Sequence, residues 1–298
     1  MPGLILEGGT FRPVYSCGVL DALLDHDLMF DYVIGVSAGI TYAYSYLSRQ
    51  RGRNLEVFTK YRNDKRYLSL RNYPKCRSMF GLDFVFDEIP NKLLPFDWDA
   101  FNAYKGRILV GVTNAQTGKA EYLDGMQLDL PCTMLRATCA IPFYFPAIEM
   151  GGVPYYDGGL ADSIPIVKAL HDGSEKNLIV LTRPEGYRKT TTGSTRAAAH
   201  ALHRKYPQMS ETMLSRAKRY NDTVCFCEQL VKKQPEDTVL LRPDYPLNSF
   251  EKDVSMLRRN YEHGYQAAAY LICKQLFRHC QLMRTFHANC NHDFSLTF

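Results

Sequence analysis

The sequence predicts an α/β fold with a mostly parallel sheet covered by helices on both faces. Three observations carry that expectation. Short apolar runs alternate with segments of helical periodicity from the first residues onward. The composition, 46% hydrophobic and 22% charged, is that of an ordinary globular chain. No linker, repeat or charge block cuts the 298 residues, so residues 1–298 read as a single domain, with C-terminal helices at about 207–280 packed on the same sheet.

The elements follow in order. Leu4-Ile5-Leu6, bounded by Glu7-Gly8-Gly9, reads as a buried strand. Pro13 suits a first helical turn, where its missing N–H has no intrahelical partner. Val14, Cys17, Leu20, Leu23 and Leu24 then recur at near-helical spacing until Asp25-His26-Asp27. Tyr32-Val33-Ile34 is a second strand, and Ile40–Leu47 a second helix. The segment 49–77 is basic and tyrosine-rich, and 79–98 is interrupted by Pro90 and Pro95, so no single element is assigned there. Arg107–Val112 reads as a strand, with 119–123 returning beside it after Thr117-Gly118. A helix is expected over 130–140 and a buried strand over 177–182. Helices over 207–233 and 251–277 flank a strand at 238–242.

Charge and composition narrow the function classes. A net charge of +5 is too small for a nucleic-acid binder and suits an anionic surface such as phospholipid. No apolar run reaches the ~18–20 residues that cross a bilayer. The start, MPGLILEGGT, lacks a basic segment and a long apolar core, so no signal peptide is expected. Nine irregularly spaced cysteines fit a reducing, cytoplasmic setting better than a disulfide framework. Cys225-x-Cys227 and Cys290-x-His292 lack paired zinc spacings, so no metal is expected.

Three segments carry chemistry. Gly35-Val36-Ser37-Ala38-Gly39 matches G-x-S-x-G where a strand should end and a helix begin. Two glycines permit a sharp turn that would expose Ser37 Oγ, with the Ala38 N–H at a helix N-terminus. A serine in an ordinary tight turn is the bland alternative. A base for Ser37 could be a late histidine (His263, His279, His287 or His292), yet 36 residues before the serine leave little room for the strands of an α/β-hydrolase. It could instead be Asp157, in Asp157-Gly158-Gly159, although Asp-Gly is also a common turn dipeptide. The loop Glu7-Gly8-Gly9-Thr10-Phe11-Arg12 can form an anion-binding nest beside the serine turn. It does not supply the G-x-G-x-x-G of a dinucleotide fingerprint.

In this order and spacing, EGGTFR at 7–12, GVSAG at 35–39 and DGG at 157–159 resemble the patatin-like phospholipase family. GVLDALLD at 18–25, ATCAIPFYFP at 137–146 and NLIVLTRPEGYRK at 177–189 extend the resemblance over most of residues 4–190. The resemblance implies a three-layer α/β/α sandwich and hydrolysis of lipid acyl esters through an acyl-serine, with no cofactor, metal or calcium. It implies Ser37 as nucleophile and Asp157 as general base. Gly8, Gly9 and Thr10 would supply oxyanion-hole amides with Ala38, and Arg12 would brace the loop. Gly35 and Gly39 shape the elbow, and Gly158 and Gly159 the turn after the base. Thr10 and Pro13 stand where the family has glycines, and a Cβ at position 10 is costly if φ is positive.

A lipid or ester substrate is thus expected, and no nucleic acid. The 73–98 stretch and Phe143-Tyr144-Phe145 are candidates for an apolar rim, and Arg49, Arg51, Arg53, Lys60, Arg62, Lys65 and Arg66 for peripheral contact with an anionic membrane. A catalytically weak lipid- or partner-binding relative, or a transacylase, are the other readings.

Overall fold

The computed structural model describes residues 1–76 and 78–290, with side chains described over 1–74 and 78–274. In chain order the elements are β1 (Pro2–Leu6), α1 (Val14–Asp25), β2 (Tyr32–Val36), α2 (Ser37–Leu47), α3 (Arg53–Tyr61), α4 (Tyr73–Cys76), α5 (Trp98–Ala103), β3 (Arg107–Asn114) and β4 (Ala120–Asp124). Then come α6 (Thr133–Thr138), β5 (Ile148–Met150), β6 (Val153–Asp157), α7 (Ile166–His171), β7 (Lys176–Val180), α8 (Gly193–His203), α9 (Pro207–Lys233), β8 (Thr238–Leu241) and α10 (Val254–Cys290).

Strands β3, β2, β1, β7 and β8 lie side by side in parallel, and β4, β5 and β6 add antiparallel pairings. Alternation within each parallel strand builds two cores. Leu4 and Leu6 of β1 join Val33, Val110 and Val180 on the face covered by α1, α2 and α10. Ile5 joins Ile34, Leu109 and Ile179 on the opposite face, under Ile166 and Ala169 of α7 and Tyr220, Val224 and Cys227 of α9. The central sheet is therefore flanked by helices on both sides, and continuous apolar runs such as YVIGV are buried throughout.

Where expectation and structure differ, local chemistry gives the reason. The helix α2 begins at Ser37 itself rather than at Ile40. The helix expected over 130–140 is confined to Thr133–Thr138, and it starts no earlier because Cys132 is left-handed (φ 55°). Within 79–98 a π-helical segment, Phe84–Leu93, accommodates Pro90. The short hairpin β5–β6 lacks a clear alternation in sequence and was not expected.

One pairing places the site. Along β3, Leu109–Gly111 pair with both β2 and β4, and Val112 and Thr113 pair with both β4 and β6. Strands β2 and β6 therefore share one edge of β3 and meet end to end. Val36, the last residue of β2, faces Gly111, and Asp157, the last residue of β6, faces Val112.

Helix α10 crosses α1 closely because two glycines meet backbone there: a Cβ on Gly18 would overlap Tyr261 O, and one on Gly264 would overlap Tyr15 O. Overpacking of this kind costs about 1–3 kcal/mol. Gly264→Ala is expected to lower unfolding stability by that amount in a denaturant titration. An unchanged midpoint would mean that the helices do not cross as described.

Candidate active site

The end-to-end junction brings Ser37 and Asp157 together across 120 residues of sequence, with Ser37 Oγ donating to Asp157 Oδ2 at 2.7 Å. Ser37 turns the chain from β2 into α2 with φ 54°. A non-glycine residue in that region is strained by about 1–3 kcal/mol, so its surroundings must hold it. The Ser37 N–H donates to Thr138 Oγ1 at 2.7 Å, and the Thr138 hydroxyl donates in turn to Gly111 O at 2.5 Å. Gly35 and Gly39 let the turn lie on β1, since a Cβ on Gly35 would sit 2.9 Å from Leu6 O and one on Gly39 would run into Glu7 O.

Asp157 is fixed from every side. Its Oδ1 accepts the Gly159 N–H at 2.8 Å, its own N–H donates to Ala140 O at 2.9 Å, and its carbonyl accepts the Thr113 hydroxyl at 2.8 Å. Gly158 packs flat on Gly111, leaving no room for a side chain. Ser37 and Asp157 are 6% and 4% exposed. Burial pushes the Asp157 carboxyl above the usual carboxylate range, against the opposing pull of the Ser37 hydroxyl, Arg216 and the Gly159 amide.

The loop after β1 closes over this pair. Gly8 lies so near the serine that a Cβ there would sit 2.7 Å from Ser37 Cβ. Gly9 and Thr10 have φ of 146° and 59°. Among the described residues, the amides of Gly8, Gly9 and Thr10 donate to no protein acceptor. The Ala38 amide, in the first turn of α2, belongs to the set that no helix can satisfy internally. Arg12 straps the loop down: its Nε donates to Thr182 Oγ1 at 3.2 Å, its Nη1 bonds Ser249 Oγ, and its guanidinium lies under Gly9. Glu7 adds a second strap, with Oε2 accepting the Thr182 N–H at 2.6 Å. Thr10 thus adopts the left-handed conformation that a glycine would take more easily, and Pro13 sits just before α1, where no amide is required.

Two cavities meet at Ser37. One, of about 60 Å³, is walled by Phe80, Leu82, Val85, Phe86 and Phe145. It belongs to the stretch read as an apolar rim, with Phe145 stacked on Phe80 at 5.4 Å. The other, of about 250 Å³, opens past Asp157 to Arg183, Lys189 and Arg216. Thr10, Ser37 and Ile141 line both.

Sequence reasoning did not single out Thr138, Cys139, Arg183, Lys189 or Arg216. Thr138 and Cys139 stand inside ATCAIPFYFP, and Arg183 and Lys189 inside the 177–189 segment, so the signal was present but carried no stated role. Cys139 is packed beside Ser37 and Thr41, and burial pushes its thiol up to about 12. No histidine among the described residues lines either cavity. His263 accepts the Asp244 amide at 3.1 Å and stacks on Tyr245, while the side chains of His279, His287 and Cys290, and all of residues 291–298 with His292, lie outside what the structure describes. Among the described residues no helix is long and apolar enough to cross a membrane. Most of the basic residues between 49 and 66 are engaged within the fold. Arg49 pairs with Asp27, Arg51 with Asp25, Lys60 with Glu56 and Arg66 with Asp64, while Arg53 and Arg62 donate to the carbonyls of Leu94 and Glu251. Lys65 is exposed.

A family model described as patatin-like phospholipase matches residues 4–170, and a second, described as a domain of unknown function (DUF6363), matches residues 206–276. Uncharacterized protein YjjU from Escherichia coli strain K12 is 23% identical over 279 residues, which cover 90% of this chain and 76% of that protein. The crystal structure of VipD from Legionella pneumophila superposes with a TM-score of 0.47 at 11% identity, covering 92% of this chain and 67% of that one.

The strain at Thr10 is measurable. A left-handed non-glycine residue costs about 1–2 kcal/mol, and glycine loses about 0.5–1 kcal/mol more backbone entropy on folding. Thr10→Gly is therefore expected to stabilise the fold by about 0.5–1 kcal/mol, read as a higher denaturation midpoint. A lower midpoint would show that the threonine side chain itself holds the loop.

Proposed function

The chain belongs to the patatin-like phospholipase family, and from that premise we propose that it is a serine acyl hydrolase. It cleaves lipid acyl esters with Ser37 as nucleophile and Asp157 as general base. The observation that carries this reading is the 2.7 Å hydrogen bond from Ser37 Oγ to a buried Asp157 carboxylate at the end of a strained strand-to-helix turn. We infer as well that the C-terminal helices belong to the same domain as the motifs, a reading supported by the packing of α9 and α10 on opposite faces of one sheet.

The proposed steps follow from the geometry. Asp157 takes the Ser37 hydroxyl proton as Oγ attacks the ester carbonyl carbon. The carbonyl oxygen becomes an oxyanion that accepts hydrogen bonds from the unengaged amides of Gly8, Gly9 and Thr10 and from Ala38, helped by the positive end of α2. Collapse of this intermediate breaks the bond to the alcohol, which leaves with the proton from Asp157. Water then gives a proton to the same carboxylate and attacks the acyl-serine, and Ser37 regains its hydrogen as the fatty acid departs. A carboxylate suffices as base here because burial raises its proton affinity towards the working range.

The apolar cavity beside Ser37 suits the acyl chain, and the open cleft suits the alcohol and the incoming water. Tyr144 and Phe250, which line the cleft and are 38% and 40% exposed, would meet a lipid surface at its mouth, with exposed Phe143 beside Tyr144 in the chain. Thr10 keeps an amide that no protein acceptor takes among the described residues, and Pro13 stands at the N-cap of α1, so neither residue takes an unengaged amide away from the loop.

Ser37→Ala and Asp157→Asn are each expected to lower kcat/KM for a short-chain ester by more than about 10³-fold while leaving the fold intact by circular dichroism. Retention of activity in either would contradict the dyad. The pH dependence has a definite sign. Asp157 must be ionised to accept the proton, so kcat/KM rises with pH through its ionisation. The acid limb lies above that of an ordinary aspartate because the folded pKa is raised. A limb at or below the ordinary aspartate value would contradict the assignment.

A further inference from the structure

We propose that Arg183, Lys189 and Arg216 form a recognition site for a phosphate group on the alcohol half of the ester. This site makes the enzyme selective for anionic phosphomonoester substrates over zwitterionic or neutral ones. The inference rests on the hydrolase reading above and adds to it the residues and charge that choose the substrate.

The three cations stand on the wall of the open cleft, on the side of Ser37 away from the apolar cavity. A leaving alcohol occupies that side if the acyl chain takes the apolar one. No carboxylate lies within ion-pair distance of any of the three among the described residues, whereas the basic residues between 49 and 66 are mostly neutralised. Aromatic faces hold the cations in place instead. Lys189 Nζ lies 4.2 Å from the centre of the Tyr220 ring, and the Arg183 guanidinium lies 4.4 Å from that of Tyr187. The two rings pack edge to face at 6.1 Å. Cation–π contact fixes position without cancelling charge, so both groups keep their demand for an anion.

The backbone is equally well fixed. Asn221 clamps Lys189 on both sides, accepting its N–H at 2.8 Å and donating to its carbonyl at 3.0 Å. Arg216 is tied by Nε to Gly159 O at 2.7 Å, which leaves its terminal nitrogens for a ligand and links the site to the turn that holds Asp157. Burial, and then the like charge of Arg216, pushes the Lys189 ammonium well below its ordinary pKa, with Arg12 and Arg183 adding to the push and Glu7 opposing it, so a bound anion restores the charge that burial disfavours. Glu7 is itself committed to the Thr182 amide. Arg12, Arg183, Lys189 and Arg216 line the cleft together with the carboxylates of Glu7 and Asp157, and a wall with that excess of basic groups gains most from a dianion. A headgroup that carries its own ammonium gains less, and a neutral glycerol gains nothing.

The test compares three soluble esters that share one hexanoyl chain: hexanoylglycerol phosphate, hexanoylglycerophosphocholine and hexanoylglycerol, each below its aggregation threshold. The native chain is expected to prefer the phosphomonoester by at least 10-fold in kcat/KM over the neutral ester, with the phosphocholine ester between them, and to lose the preference as salt is raised. A charge-assisted hydrogen bond supports a 10- to 100-fold effect. Lys189→Met, which keeps the packing on Tyr220, and Arg183→Gln are therefore each expected to cut the phosphomonoester-to-neutral ratio about 10-fold, mainly through KM. If one variant fails to fold, the other reads the same quantity. Inorganic phosphate alone is expected to inhibit only at concentrations far above the KM of the phosphomonoester. Inhibition below that KM would mark a free-anion site and overturn the assignment. A native ratio near one, or ratios unchanged in both variants, would overturn the phosphate site while leaving the hydrolase standing. No turnover of any ester would sink both.

Discussion

Everything at the site depends on two strands that run in opposite directions and end against each other on one edge of β3. Because β2 stops opposite Gly111 and β6 stops opposite Val112, the residues that follow or close them have nowhere to go but the same point. The Gly111 carbonyl is the hub of that junction. It accepts from Thr138, whose oxygen accepts from Ser37, and it forbids any side chain on Gly158. A hydroxyl and a carboxylate are thereby held in hydrogen-bond contact by main-chain pairing rather than by flexible side-chain reach. Preorganisation of this kind is what an acyl-transfer site requires.

The same junction sets the electrostatics. Ending two strands inside the sheet layer buries Asp157, which raises its proton affinity, while Ser37 and the Gly159 amide keep it hydrogen-bonded. The turn at Ser37 and the turn at Thr10 both carry positive φ in residues that are not glycine. Both lie where loops pass over the carboxyl ends of parallel strands, the location in open α/β sheets where ligands gather. Ser37 then divides the surroundings into an apolar side and a basic side. Those two environments match the two halves of an amphiphilic ester.

Much of this was legible in the residues. The alternation of apolar runs and helical periods indicated the parallel strands, and YVIGV followed by S-A-G located the turn into α2. The proximity of Asp157 to Ser37 could not be read from spacing, because it depends on β6 running antiparallel to β3, and the VPYYD strand carries no directional signal. Thr138 was hidden for a similar reason: a threonine before Cys-Ala-Ile-Pro looks like the end of a helix until its hydroxyl is seen bridging Ser37 and Gly111. The basic stretch between 49 and 66 suggested a charged surface, yet carboxylates and carbonyls from distant segments occupy most of it. Arg183 and Lys189, in the loop after β7, and Arg216 on α9 have no carboxylate within ion-pair distance among the described residues, and they are brought to one cleft wall although scattered in sequence.

The most direct measurement is the rate at which a fluorophosphonate captures Ser37, followed against pH in the native chain and in Asp157→Asn. A dyad held by the strand junction predicts capture at Ser37 alone, a rate that rises with pH through one ionisation, and loss of both the rate and its pH dependence when Asp157 becomes asparagine. Capture at another residue, or a pH profile that persists unchanged in Asp157→Asn, would contradict it.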